Sequence, residues 1–495
     1  NGMTQEEKEY VRDRMFLPGA KFLMEHRKDQ LHNHEVIISS AIAVIGILFE
    51  RKDFIRFAVY EKYGLLYQLE HGMLPYHMWF EGSFGYHFYA LQSFFDFEKF
   101  AIHTEYSHIH HPNYLAMMEV LADYLQPDGR MPMLNDTTLH HTDSELYQYE
   151  FAWRQMKSDR LLWILNRLYQ GRERSNPEAF FHGEDTLPEV PDARAAEWVD
   201  RNYHTPVETY GHTILRGSHG RYLLFKHDTY GGEHDHYDRL GISYMAFGKP
   251  VSVDLGTTGY GAVLHYDYYK NTGTHSTVVI GEENQAPAAC RLLQYEDDGE
   301  TVYVTAECDW TARYEMPDSF TIVQWKKENY ETVKMTRKIA WTDSCFAEAF
   351  YVTGADEALP VDWIMHLKGE VLEGRGEVCK DTFSDRKPFS WFRNASHLEG
   401  KRIRTVLEGV VTDLYCAPLG GEIWLAEGPD NPSTGMLNQV IVRRRGKDVC
   451  FLNVVESHQG EPVIDHVEFL QEPDGSWRIC VTEQDGRKRI FDMSI

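Results

Sequence analysis

The chain is poor in positive charge. Its 50 lysines and arginines face 76 aspartates and glutamates across 495 residues, giving a formal net charge of −26. That balance argues against non-specific binding of nucleic acid or of anionic membranes. Cysteine is scarce as well. All seven cysteines, at 290, 308, 345, 379, 416, 450 and 480, lie in the C-terminal half, are odd in number and show no close pairing. A disulfide framework and a thiolate metal site are therefore not expected, and the thiols read as reduced and structural. No uninterrupted apolar run of about 18 residues occurs, and nothing at Asn1 reads as a signal peptide, so a soluble protein is expected. Convincing repeats, low-complexity tracts and a prominent pair of glycosidase-type carboxylates are also missing.

What is present begins with aromatic residues, 13% of the chain, among them 29 tyrosines and 11 tryptophans. Flat rings suit sugars, although core packing is the default use of any one of them. Apolar residues at three- and four-residue spacing predict helices over 10–25, 36–50, 54–69, 84–100, 113–125 and 145–169. Short connectors such as Gln126-Pro127-Asp128-Gly129 separate them. Residues 1–175 thus read as helical hairpins of an α/α toroid, and the Pro-rich stretch 176–205 as a linker. The period then changes to two. Runs at 213–216, 222–226, 241–247, 301–306, 403–414, 422–426, 439–443 and 477–482 read as strands. An antiparallel β-sandwich is expected over 206–390, with a smaller C-terminal β-sheet region over 391–495. The fold class is α+β and multidomain.

The chemistry concentrates in Gly231-Gly232-Glu233-His234-Asp235-His236-Tyr237-Asp238-Arg239-Leu240, followed by Val253-Asp254-Leu255-Gly256 and Thr274-His275-Ser276-Thr277-Val278. Within about forty residues the chain offers a His-x-His pair, an aspartate ending an apolar run and a third histidine entering another. Residues two apart on a strand share a face, so such groups can meet at one point. Three nitrogen and oxygen donors suit a divalent ion of the zinc type, with manganese a less natural occupant. Alone, a His-x-His reads more readily as a solvated polar turn, and the flanking glycines with Asp254 and His275 reverse that preference. Upstream, Asn33-His34 lie near the start of a predicted helix, where donors assisted by the helix dipole suit a carboxylate, or where Asn33 simply caps. A third segment is Trp79-Phe80-Glu81-Gly82-Ser83-Phe84-Gly85-Tyr86-His87-Phe88-Tyr89, in which Tyr86 and Tyr89 share a helix face.

These motifs, with Tyr268-Tyr269-Lys270-x-Thr272-x-x-His275-Ser276-Thr277-Val278, resemble the heparinase II/III-like polysaccharide lyases, which include glycosaminoglycan and alginate lyases. The resemblance covers most of the chain up to about residue 285. It implies His236, Asp254 and His275 as metal ligands, with His234 facing substrate. Asn33, His34, Tyr86, His234 and Tyr268 are implied as catalytic, Tyr89 being the fallback for Tyr86. Trp79, Glu81, His87, Tyr89 and Arg239 are implied at the substrate. The family toroid carries more helices upstream of its Asn-His motif than this chain offers, so the chain is expected to be an N-terminally truncated piece or to have an unusually short toroid. The metal, zinc for preference, is expected to be structural. An acidic polysaccharide is the expected partner, without nucleic acid or membrane, and a homodimer is compatible. A secreted or periplasmic setting is expected ahead of a cytoplasmic one.

The implied reaction is that of a carbon–oxygen lyase. A base removes the C5 proton of a uronate residue and an acid protonates the oxygen leaving C4, while donors neutralise the carboxylate onto which charge develops. Asn33 and His34 take the carboxylate, and Tyr86 is the acid. Tyr86 also serves as base when proton and leaving group share a face of the ring; otherwise His234 or Tyr268 does. Glycosaminoglycans are the first expected substrates and alginate the second. The alternatives are a metal-dependent hydrolase assisted by Glu233, Asp235 or Asp238, and a non-catalytic sugar-binding protein.

Overall fold

The computed structural model describes residues 2–138, 146–198, 200–316, 321–379 and 383–495. A helical region precedes a run of antiparallel sheets, as the change of hydrophobic period requires. The chain divides into two compact units, each made of two separate stretches. One is Asn1–Asp123 with His140–Val199, and the other is Tyr124–Leu139 with Asp200–Ile495.

In the helical unit, the apolar run after His34 forms the helix Asn33–Leu48, which buries Val36, Ile42, Ala43 and Gly46. His32, not Asn33, caps it: the His34 backbone N–H donates to His32 Nδ1 at 3.1 Å. Asn33 is the first helical residue, and its side chain is turned to another use. The helix Phe84–Ala101 buries Phe84, Phe88, Leu91, Phe94 and Phe95. Two of the expected helices are interrupted. The 54–69 segment breaks where Tyr63 adopts a φ of 66° ahead of Gly64, the residue before the helix Leu65–His71. The 145–169 segment divides into Leu146–Met156 and Asp159–Leu168, because Lys157 is left-handed at φ 53° and Ser158 caps the second helix. Its expected first residue, Glu145, lies outside the described residues. The stretch expected to be a linker holds the helices Pro177–His182 and Asp192–Ala195. Just ahead of it, Arg174 is bound through Nε and Nη2 to the buried carboxylate of Glu150, both at 2.8 Å. Among the described residues, no helix is long and apolar enough to cross a membrane.

The β unit opens with a five-stranded sheet in chain order: β1 (Tyr203–His204), β2 (Gly211–Gly217), β3 (Arg221–His227), β4 (Ile242–Ala246) and β5 (Lys249–Ser252). Next come β6 (Val278–Ile280), β7 (Cys290–Asp297), β8 (Val302–Asp309), β9 (Lys334–Trp341), β10 (Cys345–Thr353), β11 (Val361–Leu367), β12 (Glu370–Glu373) and β13 (Arg375–Val378). They are followed by β14 (Arg393–Leu398), β15 (Arg402–Leu407), β16 (Val410–Cys416), β17 (Glu422–Pro429), β18 (Met436–Arg444) and β19 (Val449–His458). An eight-stranded sheet has the order β12-β15-β16-β19-β10-β9-β8-β7, and a six-stranded sheet the order β13-β14-β17-β18-β11-β6. The strand expected over 403–414 is the hairpin β15–β16, turned by Glu408-Gly409, both at positive φ. The boundary expected near residue 390 does not fall there, because β19 sits between β16 and β10 inside the main sheet. β20 (Ile464–Gln471), β21 (Trp477–Glu483) and β22 (Lys488–Asp492) form a separate three-stranded sheet.

The main core joins three sheets through residues such as Leu223 and Phe225 of β3, Phe350 of β10, and Trp363 and Val440 of β11 and β18. One ion pair crosses it. Arg337 Nε donates to Glu348 Oε2 at 2.7 Å, and both side chains are fully buried. Asn453 Nδ2 satisfies the other Glu348 oxygen at 3.1 Å, while Arg337 Nη1 donates to the carbonyls of Leu240 and Ser276 at 2.7 and 2.8 Å. Those carbonyls bracket the two loops described next, so a core arginine fixes their ends.

Arg337→Met leaves the Glu348 carboxylate buried and unpaired, and is expected to cost about 3–5 kcal/mol of stability. Arg337→Met with Glu348→Leu should recover much of that loss. Denaturant unfolding followed by tryptophan fluorescence checks both, and an unchanged midpoint for the single variant would refute the assignment.

Candidate functional site

Between β3 and β4 the chain runs through residues 228–241, where charged side chains are buried rather than solvated. Lys226 at the end of β3 anchors them, its Nζ donating to Asp238 at 2.6 Å, to Asp235 at 3.0 Å and to Asn135. Arg239 Nη2 donates to Asp235 at 2.9 Å, to the His236 carbonyl at 3.0 Å and to Asp238 at 3.1 Å, and Nη1 pairs with Asp228 at 2.9 Å. Arg239 is 1% exposed. This corrects its expected place at the substrate: the guanidinium grips three aspartates of its own loop. Gly232, at φ 95°, turns the chain so that the Gly231 N–H meets Asp235 Oδ2 at 2.8 Å.

This ionic frame presents His236, and the ends of the following loops bring Asp254 and His275 to it. One donor atom from each of the three lies within 4.8 Å of the others, and all three residues are buried. The rings are preset as ligands. His236 Nε2 is 3.0 Å from Asp136 Oδ1, while Nδ1 is buried with no hydrogen-bond partner among the described residues. His275 Nε2 donates to the Tyr269 carbonyl at 3.1 Å, and Nδ1 faces Asp254 Oδ2 at 3.5 Å. Holding the far nitrogen of a ligating imidazole in this way fixes its tautomer and orientation. Burial, ahead of the opposing pull of Asp136, keeps His236 below its ordinary pKa, in the neutral form that binds metal.

Charge balance points the same way. The ion-paired network around the cluster buries five aspartates, 136, 228, 235, 238 and 254, against three cations, Lys226, Arg239 and Lys270. A divalent ion at His236, Asp254 and His275 would add positive charge to this carboxylate-rich network. These residues fit a metal.

Outward from His236 lies a second layer. Asp136 Oδ2 is 3.1 Å from His234 Nδ1 and accepts from the Tyr260 hydroxyl at 3.3 Å, and the same hydroxyl is 3.1 Å from His234 Nδ1. Lys270 Nζ donates to Asp136 Oδ2 at 3.3 Å and to the Glu233 carbonyl. Burial works against charge on Asp136, but Lys270, then His234 and His236, outweigh it and hold the carboxyl well below the usual range. His234 is half-buried and Tyr260 is exposed. Sequence reasoning missed Asp136 and Tyr260. It placed Tyr268 here instead, and the structure corrects this: Tyr268 is fully buried beside Phe392, its hydroxyl accepting from Gln439 Nε2 at 3.3 Å. Burial also drives its phenol well above the ordinary pKa, the reverse of what a base needs.

In the helical unit, Asn33 Nδ2 donates to both carboxylate oxygens of Glu81, at 3.0 and 2.8 Å, and Trp79 Nε1 donates to the second at 2.7 Å. His32 Nε2 is 3.8 Å from the first. Asn33, Glu81, Trp79 and His87 are all buried. His87 accepts from the Trp79 N–H at 3.0 Å and donates to the Met117 carbonyl at 2.9 Å, and burial lowers its pKa to about 4. Trp79, Glu81 and His87 therefore shape the turn before Phe84–Ala101 instead of contacting a ligand, which corrects the expectation for all three. His34 and Tyr89 are exposed and Tyr86 is half-buried, with the two tyrosine rings edge-on at 6.3 Å.

Comparison with known proteins bears on the β unit first. Residues 202–369 match the family described as heparinase II/III-like, C-terminal. The sequence is 24% identical to an alginate lyase of Stenotrophomonas maltophilia (strain K279a) over 317 residues, 57% of this chain and 41% of that protein. The chain thus spans less than half the length of that curated relative. Among solved structures it is similar to heparinase III, at 14% identity and a TM-score of 0.70, covering 99% of this chain and 71% of that one. It is also similar to the heparan sulfate lyase HepC from Pedobacter heparinus, at 14% identity and a TM-score of 0.66, covering 98% of this chain and 69% of that one. The chain shares with these solved structures a fold of helices followed by antiparallel sheets, and its residues 202–369 carry the heparinase II/III-like, C-terminal segment.

The purified chain is expected to hold about one divalent ion, lost together with folding stability when His275→Ala or Asp254→Ala removes a ligand. Elemental analysis and thermal unfolding with and without chelator test this. Equal metal content in wild type and variants would place the ion elsewhere.

Proposed function

We propose that this chain is a polysaccharide lyase that cleaves uronate-containing polymers by β-elimination, with a structural zinc ion at His236, Asp254 and His275. The observation that carries the reading is the burial of that trio. A metal that activates water keeps an open coordination position reachable by substrate, whereas structural sites are closed. Here the donors are 0, 7 and 2% exposed. Of the three carboxylates that would assist a hydrolase, Glu233, Asp235 and Asp238, the last two are bound by Lys226 and Arg239. The ion supplies charge and anchorage, and the reacting groups are side chains around it. Two imidazole nitrogens and a carboxylate oxygen suit zinc.

In this reading His34 takes the uronate carboxylate and Tyr86 is the acid at the leaving oxygen, while Asn33, expected at the carboxylate, is buried with its amide on Glu81 and holds the start of its helix instead. His234 is the base at C5, with Tyr260 taking the place first given to Tyr268. The phenol of Tyr260 is exposed beside the His234 imidazole. Uronate is common to glycosaminoglycans and alginate. Glycosaminoglycans are the first choice and alginate the second, and a secreted or periplasmic setting accords with such polymers.

Each product of elimination carries a C4–C5 double bond conjugated to a carboxylate, so ultraviolet absorbance should rise with at least one of heparan sulfate, heparin, chondroitin sulfate, hyaluronan or alginate. New reducing ends without that rise would instead identify a hydrolase. Tyr86→Phe and Tyr260→Phe are each expected to lower kcat by about 10²–10⁴-fold while the chain stays folded. Full activity in either variant removes that tyrosine from the mechanism.

A further inference from the structure

We propose that Asp136 is a positioning residue that ties the metal-ligand histidine to the reacting pair, an inference that rests on the lyase reading. No other carboxylate among the described residues combines these partners. Oδ1 meets His236 Nε2 at 3.0 Å; Oδ2 meets His234 Nδ1 at 3.1 Å and the Tyr260 hydroxyl at 3.3 Å. The backbone joins in, with the Asp136 N–H donating to the His234 carbonyl at 3.0 Å. Asp136 is therefore locked to His234 through both main chain and side chain. Its neighbours are held as well: Asn135 accepts from the His236 N–H at 3.2 Å, and the Thr137 carbonyl accepts from the Thr257 N–H at 3.1 Å.

The consequence for chemistry follows from donor and acceptor counts. An ionised carboxylate only accepts, so every group facing it must present a hydrogen. His236 carries its proton on Nε2, which turns the lone pair of Nδ1 toward Asp254 and His275. His234 presents the hydrogen of Nδ1 to Asp136, and the Tyr260 hydroxyl presents its own. One carboxylate thereby orients both histidines and fixes which nitrogen of each carries the hydrogen, with Lys270 donating to the same Oδ2. Fixing a catalytic imidazole in its working tautomer through a buried aspartate is a known source of large rate effects.

The test is Asp136→Asn in the full chain with its metal. An amide at this position can accept from His236 through Oδ1, but it presents N–H to His234 and forces that ring to the opposite tautomer. Three results are expected. The kcat on the uronate polymer that serves wild type falls by about 10²–10⁴-fold with KM changed less than about threefold. Metal affinity, read by chelator competition, stays within about tenfold of wild type. Nitrogen-15 shifts of the His234 ring, assigned with His234→Gln, show Nδ1–H in wild type and Nε2–H in the variant. Asp136→Ala, which removes both functions, should in addition weaken metal binding by about 10–100-fold.

A kcat within threefold of wild type overturns the proposal, and so does a loss of rate matched by an equal loss of metal and stability. Identical His234 tautomers in wild type and Asp136→Asn overturn it whatever the activity. A wild type that is inert on every uronate polymer refutes the lyase reading alone, because the ring shifts and metal competition still decide what Asp136 does.

Discussion

Placing ionised carboxylates out of water is the constraint around which the β unit is built. Each buried aspartate carries a desolvation penalty of several kcal/mol unless partners surround it. The unit nevertheless gathers Asp136, Asp228, Asp235, Asp238 and Asp254 into one region. Lys226 and Arg239 serve the inner three, Lys270 serves Asp136, and Asp254 is left to a histidine. A network short of positive charge is held together by whatever supplies it. That is a physical reason for a metal here, independent of any sequence motif, and it explains why the loops carrying the ligands need no regular secondary structure.

The same network divides labour among residues that look equivalent in the sequence. His234 and His236 are two apart, yet one faces the ion cluster and the other a layer containing an exposed tyrosine. Asp235 and Asp238 flank them but are locked to Lys226 and Arg239 and have no freedom to act on a substrate. Polar residues in this loop are mostly scaffold.

Legibility in the sequence followed distance along the chain. His236, Asp254 and His275 could be read together because they fall within about forty residues, each at the edge of a strand-like run. The switch from helical to two-residue period located the change from helices to sheets for the same local reason. Asp136 could not be found this way, since it lies 98 residues before His234 and reaches it only in the folded state. Tyr260 stood among seven tyrosines from 230 to 269, and sequence alone could not say that it is exposed while Tyr268 is buried. The same blindness to burial affected Trp79, His87 and Arg239, whose residue types suit a sugar but whose side chains complete a turn or neutralise a loop. Strand breaks at Glu408-Gly409 and helix breaks at Lys157-Ser158 were missed because a single left-handed residue leaves little trace in a periodic pattern.

The interleaving of the two units carries a topological consequence. Residues 124–139 belong to the β unit but are threaded through the sequence of the helical one. A β unit cut out from residue 200 onward would therefore leave Asn135 and Asp136 behind. Lys226 would lose a partner, and His234 and His236 would lose the group that orients them. The chain cannot be divided at a point between an upstream and a downstream module, because the upstream sequence includes part of the downstream fold. Recombination or truncation that preserves the matched family segment would still dismantle its centre. The heritable unit is longer than the recognisable one.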